Sequence, residues 1–251
     1  MSGGKGAVVV LGVTSAVARE LAAEFARHGH DLIVTARDPE ELEAIAADLR
    51  VRHGVRVEAL TLVADDFDSH AAFVERAQSL AGDGLAGVVL CFGFMDEQER
   101  AQSDFGIARR TIDVNLTAAI SVLERFAAQF EARRSGFIAG VSSVAGDRGR
   151  ASNYIYGASK AGLTAYLEGL RNRLHSANVQ VTTIKPGFMD TKMTFGMPLP
   201  NLLTATPQQA ARAIYRAIIK RKDTAYVLWY WRIVMLIIRS IPEWQFKKMR
   251  I

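Results

Sequence analysis

The feature that most constrains the fold of this chain is a regular alternation of short apolar runs with longer amphipathic segments. The run Ala7–Leu11 contains no polar residue, as expected for a strand buried on both faces of a sheet. An amphipathic segment follows, with Val17, Leu21 and Phe25 on one side. Strands that alternate with helices predict parallel pairing and right-handed crossovers. We therefore predict an α/β fold, a single-domain doubly wound parallel sheet of about seven strands with helices on both faces.

The same alternation continues to about residue 228. After the first strand, the pattern predicts strands at 31–35, 57–62, 87–92, 137–141, 179–184 and 225–228. Asp38 and Pro39, with Glu41 three residues after Asp38, predict a capped helix start, and the segment 206–209 predicts another. Further helices are expected near 68–81, 104–131 and 154–176. This gives one dinucleotide-binding and catalytic domain over residues 1–228 and an apolar, basic C-terminal segment over residues 229–251.

Composition limits the expected compartment, metal sites and partners of the protein. The chain has 251 residues, of which 49% are hydrophobic, and this is enough for a substantial core. Cys91 is the only cysteine and the polar start lacks the apolar core of a signal peptide, so we expect a reducing, cytoplasmic compartment. The five histidines lack ligand spacing, and we expect no metal site. The net charge of +5 would suit an anionic partner, but nothing resembles a nucleic-acid recognition motif, and we expect no nucleic acid partner.

A turn suited to phosphate follows the first predicted strand. It begins at Gly12 and enters a predicted helix through Thr14, Ser15, Ala16 and Val17. Backbone N–H groups at the start of a helix face outward and attract an anion such as a pyrophosphate. The hydroxyls of Thr14 and Ser15 add two possible donors. By itself this turn is equally consistent with an ordinary strand-to-helix connection.

A stronger signal lies near the middle of the chain. Tyr156 and Lys160 are four residues apart and share one face of a predicted helix. A lysine ammonium beside a phenol favours the phenolate and is expected to lower its pKa from about 10. Such a pair suits proton transfer to or from a carbonyl or alcohol oxygen, which a hydroxyl from Ser143, thirteen residues earlier, could hold. Tyr154 has no lysine at the equivalent spacing.

Over about residues 7–230, this combination resembles the short-chain dehydrogenase/reductase family. The family usually has G-x-x-x-G-x-G in the phosphate turn, where this chain keeps Gly12 but has Ala16 and Ala18. The family's Asn-Asn-Ala-Gly after the fourth strand is reduced here to its glycine, Gly93. The resemblance implies an NAD(P)(H)-dependent oxidoreductase that forms a homodimer or homotetramer.

The resemblance also assigns further residues to the site. It implies that Asn115 holds a water in a proton relay to Lys160. It implies that Asp65 contacts the adenine, and that Pro186, Gly187 and Thr191 meet the nicotinamide. NADP(H) is the expected cofactor, with NAD(H) possible, because Ala36 replaces the carboxylate typical of an NAD site and Arg37 could pair with a 2′-phosphate.

Within the family, the chain is similar to the decaprenylphosphoryl-2-keto-beta-D-erythro-pentose reductases. The similar segments are 91–93, 142–148, 152–157, 160–163 and the tail at 241–242 and 247–251. This similarity implies reduction of a polyprenyl-phosphate keto sugar in cell wall biosynthesis. The alternatives are reduction of another ketone or lipid, and a non-catalytic dinucleotide sensor on the same fold.

The C-terminal segment admits two interpretations. Its apolar run is interrupted by Arg232 and Arg239, and is too charged for a spanning helix. Aromatic side chains including Trp229 and Trp244, with Lys247 and Lys248, are typical of a peripheral contact with the inner face of an anionic membrane. The segment could equally pack into a subunit interface or cover the substrate pocket.

Overall fold

The main sheet of the protein confirms the predicted fold class. The structure, a computed structural model, describes residues 5–191 and 200–249. Residues 192–199 lie outside it, and they belong to the segment 188–205, called here the predicted specificity loop because its residues are expected to decide the substrate. The strands of the main sheet are β1 Ala7–Leu11, β2 Asp31–Ala36, β3 Val57–Thr61, β4 Leu85–Leu90, β5 Phe137–Val141, β6 Gln180–Pro186 and β9 Thr224–Val227. These seven strands are parallel and have the order β3-β2-β1-β4-β5-β6-β9. Because the order reverses between β1 and β4, the carboxyl ends of these two strands flank the crevice where doubly wound sheets bind ligands.

Helices cover both faces of the sheet and produce two apolar cores. On one face lie α1 Ala16–Arg27, α2 Pro39–His53 and α8 Pro207–Ile219, and on the other lie α3 His70–Ala81, α6 Ala118–Arg133 and α7 Tyr154–Leu174. Phe25 and Ile214 are fully buried in the first core, and Phe126 and Leu167 are fully buried in the second. The central strands therefore have apolar neighbours on both sides, as the uninterrupted apolar sequence of β1 predicts.

The predicted helix caps are present. Asp38 Oδ1 accepts hydrogen bonds from the N–H groups of Glu40 at 2.9 Å and Glu41 at 3.1 Å. Thr206 and Gln209 form a reciprocal capping box at the start of α8. These short-range hydrogen bonds satisfy N–H groups that have no partner within the helix, which is why the sequence signals are reliable there.

Two elements differ from the sequence prediction. The single helix predicted at 104–131 is divided into α5 Phe105–Ile112, a π turn at Asp113–Thr117 and α6, and it is preceded by α4 Gln98–Ser103. Asp104 starts α5, because its carboxylate accepts a hydrogen bond from the N–H of Gly106 at 2.7 Å. A second, two-stranded sheet pairs β7 Phe188–Met189 with β8 Thr204–Ala205 and joins the two sides of the predicted specificity loop.

The C-terminal segment forms two helices, α9 Trp231–Ser240 and α10 Glu243–Phe246. One face of α9 packs on the main domain, where Trp231 and Met235 form a small apolar cluster with Val144. Within the described ranges, no helix is both long enough and apolar enough to cross a membrane.

Candidate active site

Four of the residues singled out in the sequence converge beyond the carboxyl ends of β4 and β5. Ser143 follows β5, Tyr156 and Lys160 lie in the first turns of α7, and Asn115 lies in the π turn before α6. The Ser143 hydroxyl lies close enough to the Tyr156 phenol to favour its ionised form and so lower its pKa, and Lys160 Nζ lies 5.7 Å from the centroid of the Tyr156 ring. We call Asn115, Ser143, Tyr156 and Lys160 the candidate catalytic cluster.

Two adjacent serines at the end of β5 have different environments. The Ser142 hydroxyl donates to the backbone carbonyl of Lys160 at 2.9 Å and lies 2.8 Å from the Thr164 hydroxyl, so it fastens β5 to α7. The Ser143 hydroxyl accepts a hydrogen bond from the N–H of Ala145 at 3.1 Å and faces Tyr156. Only Ser143 is therefore placed to contact an oxygen held beside the Tyr156 phenol.

Burial controls the ionisation of both partners on α7. It lowers the pKa of Lys160 to about 8, and the Nζ atom donates to the backbone carbonyl of Val141 at 3.0 Å. It raises the pKa of Tyr156 to about 12, although the hydrogen bond with Ser143 acts in the opposite direction. The expectation of a lowered tyrosine pKa is thus wrong for the protein without ligand, because desolvation of the phenolate outweighs the favourable interactions. A neutral Tyr156 is a proton donor.

Tyr154 has a different environment from Tyr156, as the lysine spacing predicts. Its side chain is exposed, and its hydroxyl donates to the side chain of Gln102 on α4 at 3.2 Å. Tyr154 therefore points away from Ser143 and Lys160.

Asn115 is fully buried, and its side chain holds the loop after β4. Its Oδ1 accepts from the N–H of Phe94 at 2.7 Å, and its Nδ2 donates to the carbonyl of Phe94 at 2.8 Å and to the Ser159 hydroxyl at 3.0 Å. These bonds occupy the amide, so a water bound by Asn115 would need a backbone group. The π turn could supply that backbone group, because a π turn changes which carbonyls of a helix are paired and is frequent at functional sites.

The turn after β1, which the sequence predicts to bind phosphate, requires glycine at its first position. Gly12 has a φ of 90°, and a Cβ atom built on it would lie 2.8 Å from the backbone nitrogen of Phe92. A side chain therefore cannot be accommodated at position 12. Gly93 is restricted less: its Cβ would make a tight contact of 3.1 Å with Asn115 Oδ1 and an ordinary contact of 3.5 Å with Lys160 Nζ.

The remaining residues of the turn differ in whether their side chains are used within the protein or are exposed. Ser15 is the N-cap of α1, where its hydroxyl accepts from the N–H of Ala18 at 3.1 Å. Ala16 is exposed at the first position of α1, and Thr14 is half-buried. Val17 is buried in the core, so only its backbone N–H is oriented to meet a ligand. The turn fits a pyrophosphate through the helix N-terminus and one small exposed residue.

Charged residues at the ends of β2 and β3 have contrasting partners. Arg37 is exposed, and in the described part of the chain it makes no hydrogen bond or ion pair. Asp38 is used in capping α2. Asp65 lies 3.4 Å from the guanidinium of Arg110, which also lies over the ring of Phe94 at 4.9 Å. Arg37 is thus the cation left available for a phosphate at this edge.

The turn after β6 reaches the C-terminal segment. A Cβ atom on Gly187 would lie 1.9 Å from Trp231 Cε2, so Trp231 packs directly over the backbone of this glycine. The Trp231 indole N–H also donates to the carbonyl of Leu203 at 3.1 Å. Pro186 ends β6, and Thr191 is half-buried beyond β7. The segment expected to meet the nicotinamide is therefore covered on one side by α9.

The structure adds polar residues that the sequence analysis did not assign to the site. Asp147 lies 2.6 Å from Lys185 Nζ and accepts from the Tyr226 hydroxyl at 2.7 Å, and this buried network joins the Ser143 loop to β6 and β9. Arg148 reaches the C-terminal segment instead, donating to the carbonyls of Ile238 at 2.5 Å and Ile241 at 2.7 Å. The resemblance of segment 142–148 is the only sequence signal for these contacts, because their partners are distant in sequence.

Comparisons with known proteins agree with this architecture. Residues 6–198 match the family model described as short chain dehydrogenase. An uncharacterized oxidoreductase of Mycobacterium tuberculosis is 34% identical over 247 residues, covering 98% of each chain. Serine 3-dehydrogenase of Agrobacterium fabrum is 28% identical over 236 residues, covering 90% of this chain and 87% of that protein. A short-chain dehydrogenase from Sphingobium yanoikuyae, solved in complex with NADPH, has a TM-score of 0.82 at 24% identity, covering 95% of this chain and 97% of that one.

The matched region contains the phosphate turn and the whole candidate catalytic cluster. The chain belongs to the short-chain dehydrogenase family. It is an NAD(P)-dependent dehydrogenase or reductase.

Proposed function

We propose that the protein reduces a keto group with NADPH through the candidate catalytic cluster. The observation that carries this proposal is the meeting of Ser143, Tyr156 and Lys160, which come from the loop after β5 and from α7, in one place. Asn115 joins them through Ser159 and the loop after β4. A protein that only senses a dinucleotide has no need for this arrangement, and this argues against the non-catalytic alternative.

Bound NADPH would supply a hydride to the carbonyl carbon of the substrate. Ser143 would hold the carbonyl oxygen through its hydroxyl, and Tyr156 would donate its phenolic proton to the same oxygen. The pKa of Tyr156, raised by burial to about 12, keeps the phenol protonated and able to donate at neutral pH. Lys160, still charged at pH 7, would stabilise the phenolate that remains and contact the ribose of the cofactor. A water at Asn115 would return the proton through Lys160.

NADP(H) is the proposed cofactor, and NAD(H) is a weaker alternative. The support comes from Arg37, which has no competing partner in the described part of the chain, and from Asp38, whose carboxylate is engaged in capping. Two proteins of the same fold were solved with NADPH, the Sphingobium enzyme and an actinorhodin polyketide ketoreductase variant. We propose that Gly12, Thr14, Ala16 and the first N–H groups of α1 hold the pyrophosphate, with Ser15 contributing through its backbone.

We propose a polyprenyl-phosphate keto sugar as the substrate, as in the reductase group that the sequence resembles. Support comes from the resemblance of segment 142–148, which includes Asp147 and Arg148 and borders the candidate catalytic cluster at Ser143. A lipid-linked substrate would also place the enzyme at the cytoplasmic face of a membrane. Reduction of another ketone or lipid is the main alternative.

The deciding experiment is NADPH oxidation with two sets of substrates. We expect turnover with a polyprenyl-phosphate keto sugar to exceed turnover with a panel of small ketones, and Tyr156→Phe to abolish both. If only small ketones are turned over, the protein is a reductase but the proposed polyprenyl-phosphate substrate is wrong. Cofactor binding without turnover of any substrate would favour the sensor.

A homodimer or homotetramer is the proposed assembly. Support comes from an apolar groove of about 390 Å³ between α5 and α7, lined by Phe105, Ile112, Tyr154 and Ile155 among others. Phe105 is largely exposed in the single chain, and burial in a subunit contact would remove it from water. Analytical ultracentrifugation tests this, and a monomer at micromolar concentration would reject it.

A further inference from the structure

The outer face of α9 carries a group of exposed apolar side chains whose role is unexplained by the fold. Helical geometry places Ile233, Leu236 and Ile237 on the side of α9 opposite Trp231 and Met235. Trp229, just before α9, and Trp244, on α10, are exposed as well. The exposed fractions are 73% for Trp229, 49% for Ile233, 66% for Leu236, 60% for Ile237 and 65% for Trp244. We call these five residues the outer apolar face.

The opposite side of the segment is held firmly against the domain. Arg148 donates to the carbonyls of Ile238 and Ile241, pairs with Glu243 at 3.0 Å and lies over the ring of Phe246 at 3.6 Å. Together with the burial of Trp231, these contacts prevent α9 from rotating to hide the outer apolar face. The face is therefore preformed, and binding to it does not require the segment to be ordered first.

The charges around the outer apolar face are almost all positive. Arg232 and Arg239 are seven residues apart, on one flank of α9, and Lys247 and Lys248 follow α10. All four side chains are exposed, whereas the one acidic residue of the segment, Glu243, is paired with Arg148. An isologous contact between two copies would bring these cations together, and like charges at such a contact are unfavourable. An anionic surface complements them.

We propose that the outer apolar face binds the surface of an anionic lipid bilayer, with α9 lying parallel to the membrane. The indoles of Trp229 and Trp244 would lie at the headgroup level, where tryptophan is enriched. Ile233, Leu236 and Ile237 would enter the upper acyl region, as in interfacial amphipathic helices. Arg232, Arg239, Lys247 and Lys248 would meet lipid phosphates.

This contact would place the active site close to the lipid. The inner face of α9 contacts Val144, the residue after Ser143, so a single helix separates the bilayer surface from the loop that holds the candidate catalytic cluster. The proposal deepens the proposed lipid-linked substrate, but membrane binding is measured without substrate. The two can therefore fail separately.

Vesicle flotation of the full-length protein tests the proposal. Vesicles of phosphatidylcholine with 30% phosphatidylglycerol should carry the protein, on the order of tenfold more than phosphatidylcholine alone, and 1 M salt should reduce this difference because it screens charges. A double variant, Leu236→Gln with Ile237→Gln, should lose at least tenfold in bound fraction. Val51→Gln on α2 is the matched control, because Val51 is an exposed apolar residue far from α9 in the sequence and on a different element, and it should float like the wild type.

Three readouts keep the result unambiguous. NADPH oxidation with a water-soluble ketone should be unchanged in the double variant, which shows that it is folded. Binding to vesicles should shift tryptophan emission to shorter wavelength, and brominated lipids should quench Trp229 and Trp244 more than the buried Trp231. Failure of the wild type to float on anionic vesicles would overturn the proposal. Dissociation of an oligomer by the double variant, with no change in flotation, would assign the face to a second copy instead.

Discussion

The candidate catalytic cluster and the C-terminal segment border the same loop after β5, but different interactions fix their positions. Ser143, Tyr156 and Lys160 lie on or directly after regular elements, β5 and α7, and the buried Ser142 hydroxyl joins these two elements. The C-terminal segment is placed by single side chains, above all Trp231 over Gly187 and Arg148 under α9. Substitutions in the candidate catalytic cluster should therefore strongly lower turnover. Substitutions that remove a contact of the C-terminal segment should leave turnover nearly unchanged.

The largest effect should come from Tyr156→Phe. We expect the turnover number to fall about 100- to 10,000-fold, because the phenylalanine ring keeps the packing and removes the proton donor. Affinity for NADPH, measured by fluorescence titration, should change little. Tyr154→Phe is the control, because the Tyr154 hydroxyl contacts Gln102 on the outside, and it should keep near-normal turnover. Activity within threefold of the wild type for Tyr156→Phe would remove the basis of the mechanism.

A second, smaller effect should appear at the other end of the cofactor site. Arg37→Ala should weaken NADPH about 10- to 100-fold and leave NADH almost unchanged, because a hydrogen bond to a charged group contributes about 1.5–3 kcal/mol. The ratio of kcat/KM values for the two cofactors measures this. Arg52→Ala is a matched control, since Arg52 is an exposed arginine on α2 that pairs only with Asp48. If the ratio of kcat/KM for NADPH to kcat/KM for NADH is the same in the wild type and in Arg37→Ala, the 2′-phosphate does not contact Arg37.

The pH dependence of reduction tests the charge on Lys160. Burial lowers the pKa of Lys160 to about 8, so the ammonium is present below pH 8 and lost above it, while Tyr156 with a pKa of about 12 stays protonated. The turnover number should be level up to about pH 7, about half as large near pH 8, and about tenfold lower than at pH 7 by pH 9, since one unit above the pKa roughly one lysine in ten is still charged. Lys160→Arg retains its charge to much higher pH, so its residual activity should not fall there. A flat wild-type profile to pH 10 would show that the lysine charge is dispensable.

The two regions also differ in how much of them could be predicted from the sequence. β1 is an uninterrupted apolar run and the other strands alternate regularly with amphipathic helices, so the fold class was predictable. The spacing of Ser143, Tyr156 and Lys160 is read within one stretch of chain, so the convergence of these residues was expected. The pKa of Tyr156 was predicted in the wrong direction, because spacing reports a nearby lysine and does not report desolvation.

The C-terminal segment gives the opposite result. Apolar residues occupy nearly every side of α9, so periodicity does not distinguish the buried Trp231 from the exposed Trp229. Trp231 is the buried one because it packs against Gly187 and Val144, and these two residues lie beside α9 only in the folded sheet. The division of the helix predicted at 104–131 was missed for a related reason, since a π turn has no local sequence pattern of its own.

The smallest effect on catalysis, and the sharpest test of the comparison, should come from Arg148→Gln. Removing the guanidinium takes away hydrogen bonds to the carbonyls of Ile238 and Ile241 and the contact with Phe246, a local loss of about 1–3 kcal/mol. Amide exchange should therefore become faster in residues 236–246. The Ser143 loop should stay in place, because the Asp147 network with Lys185 and Tyr226 still holds it.

Turnover of a water-soluble ketone by Arg148→Gln should consequently remain within about threefold of the wild type, which corresponds to less than about 1 kcal/mol. Asp147→Asn is the contrasting variant, because it weakens the buried ion pair with Lys185 while leaving Arg148 in contact with α9. It should lower turnover more than Arg148→Gln does, since the loss of charge in a buried pair leaves Lys185 uncompensated next to the Ser143 loop. If Arg148→Gln instead lowers turnover as much as Asp147→Asn, the C-terminal segment helps to hold Ser143, and the two regions act as one unit.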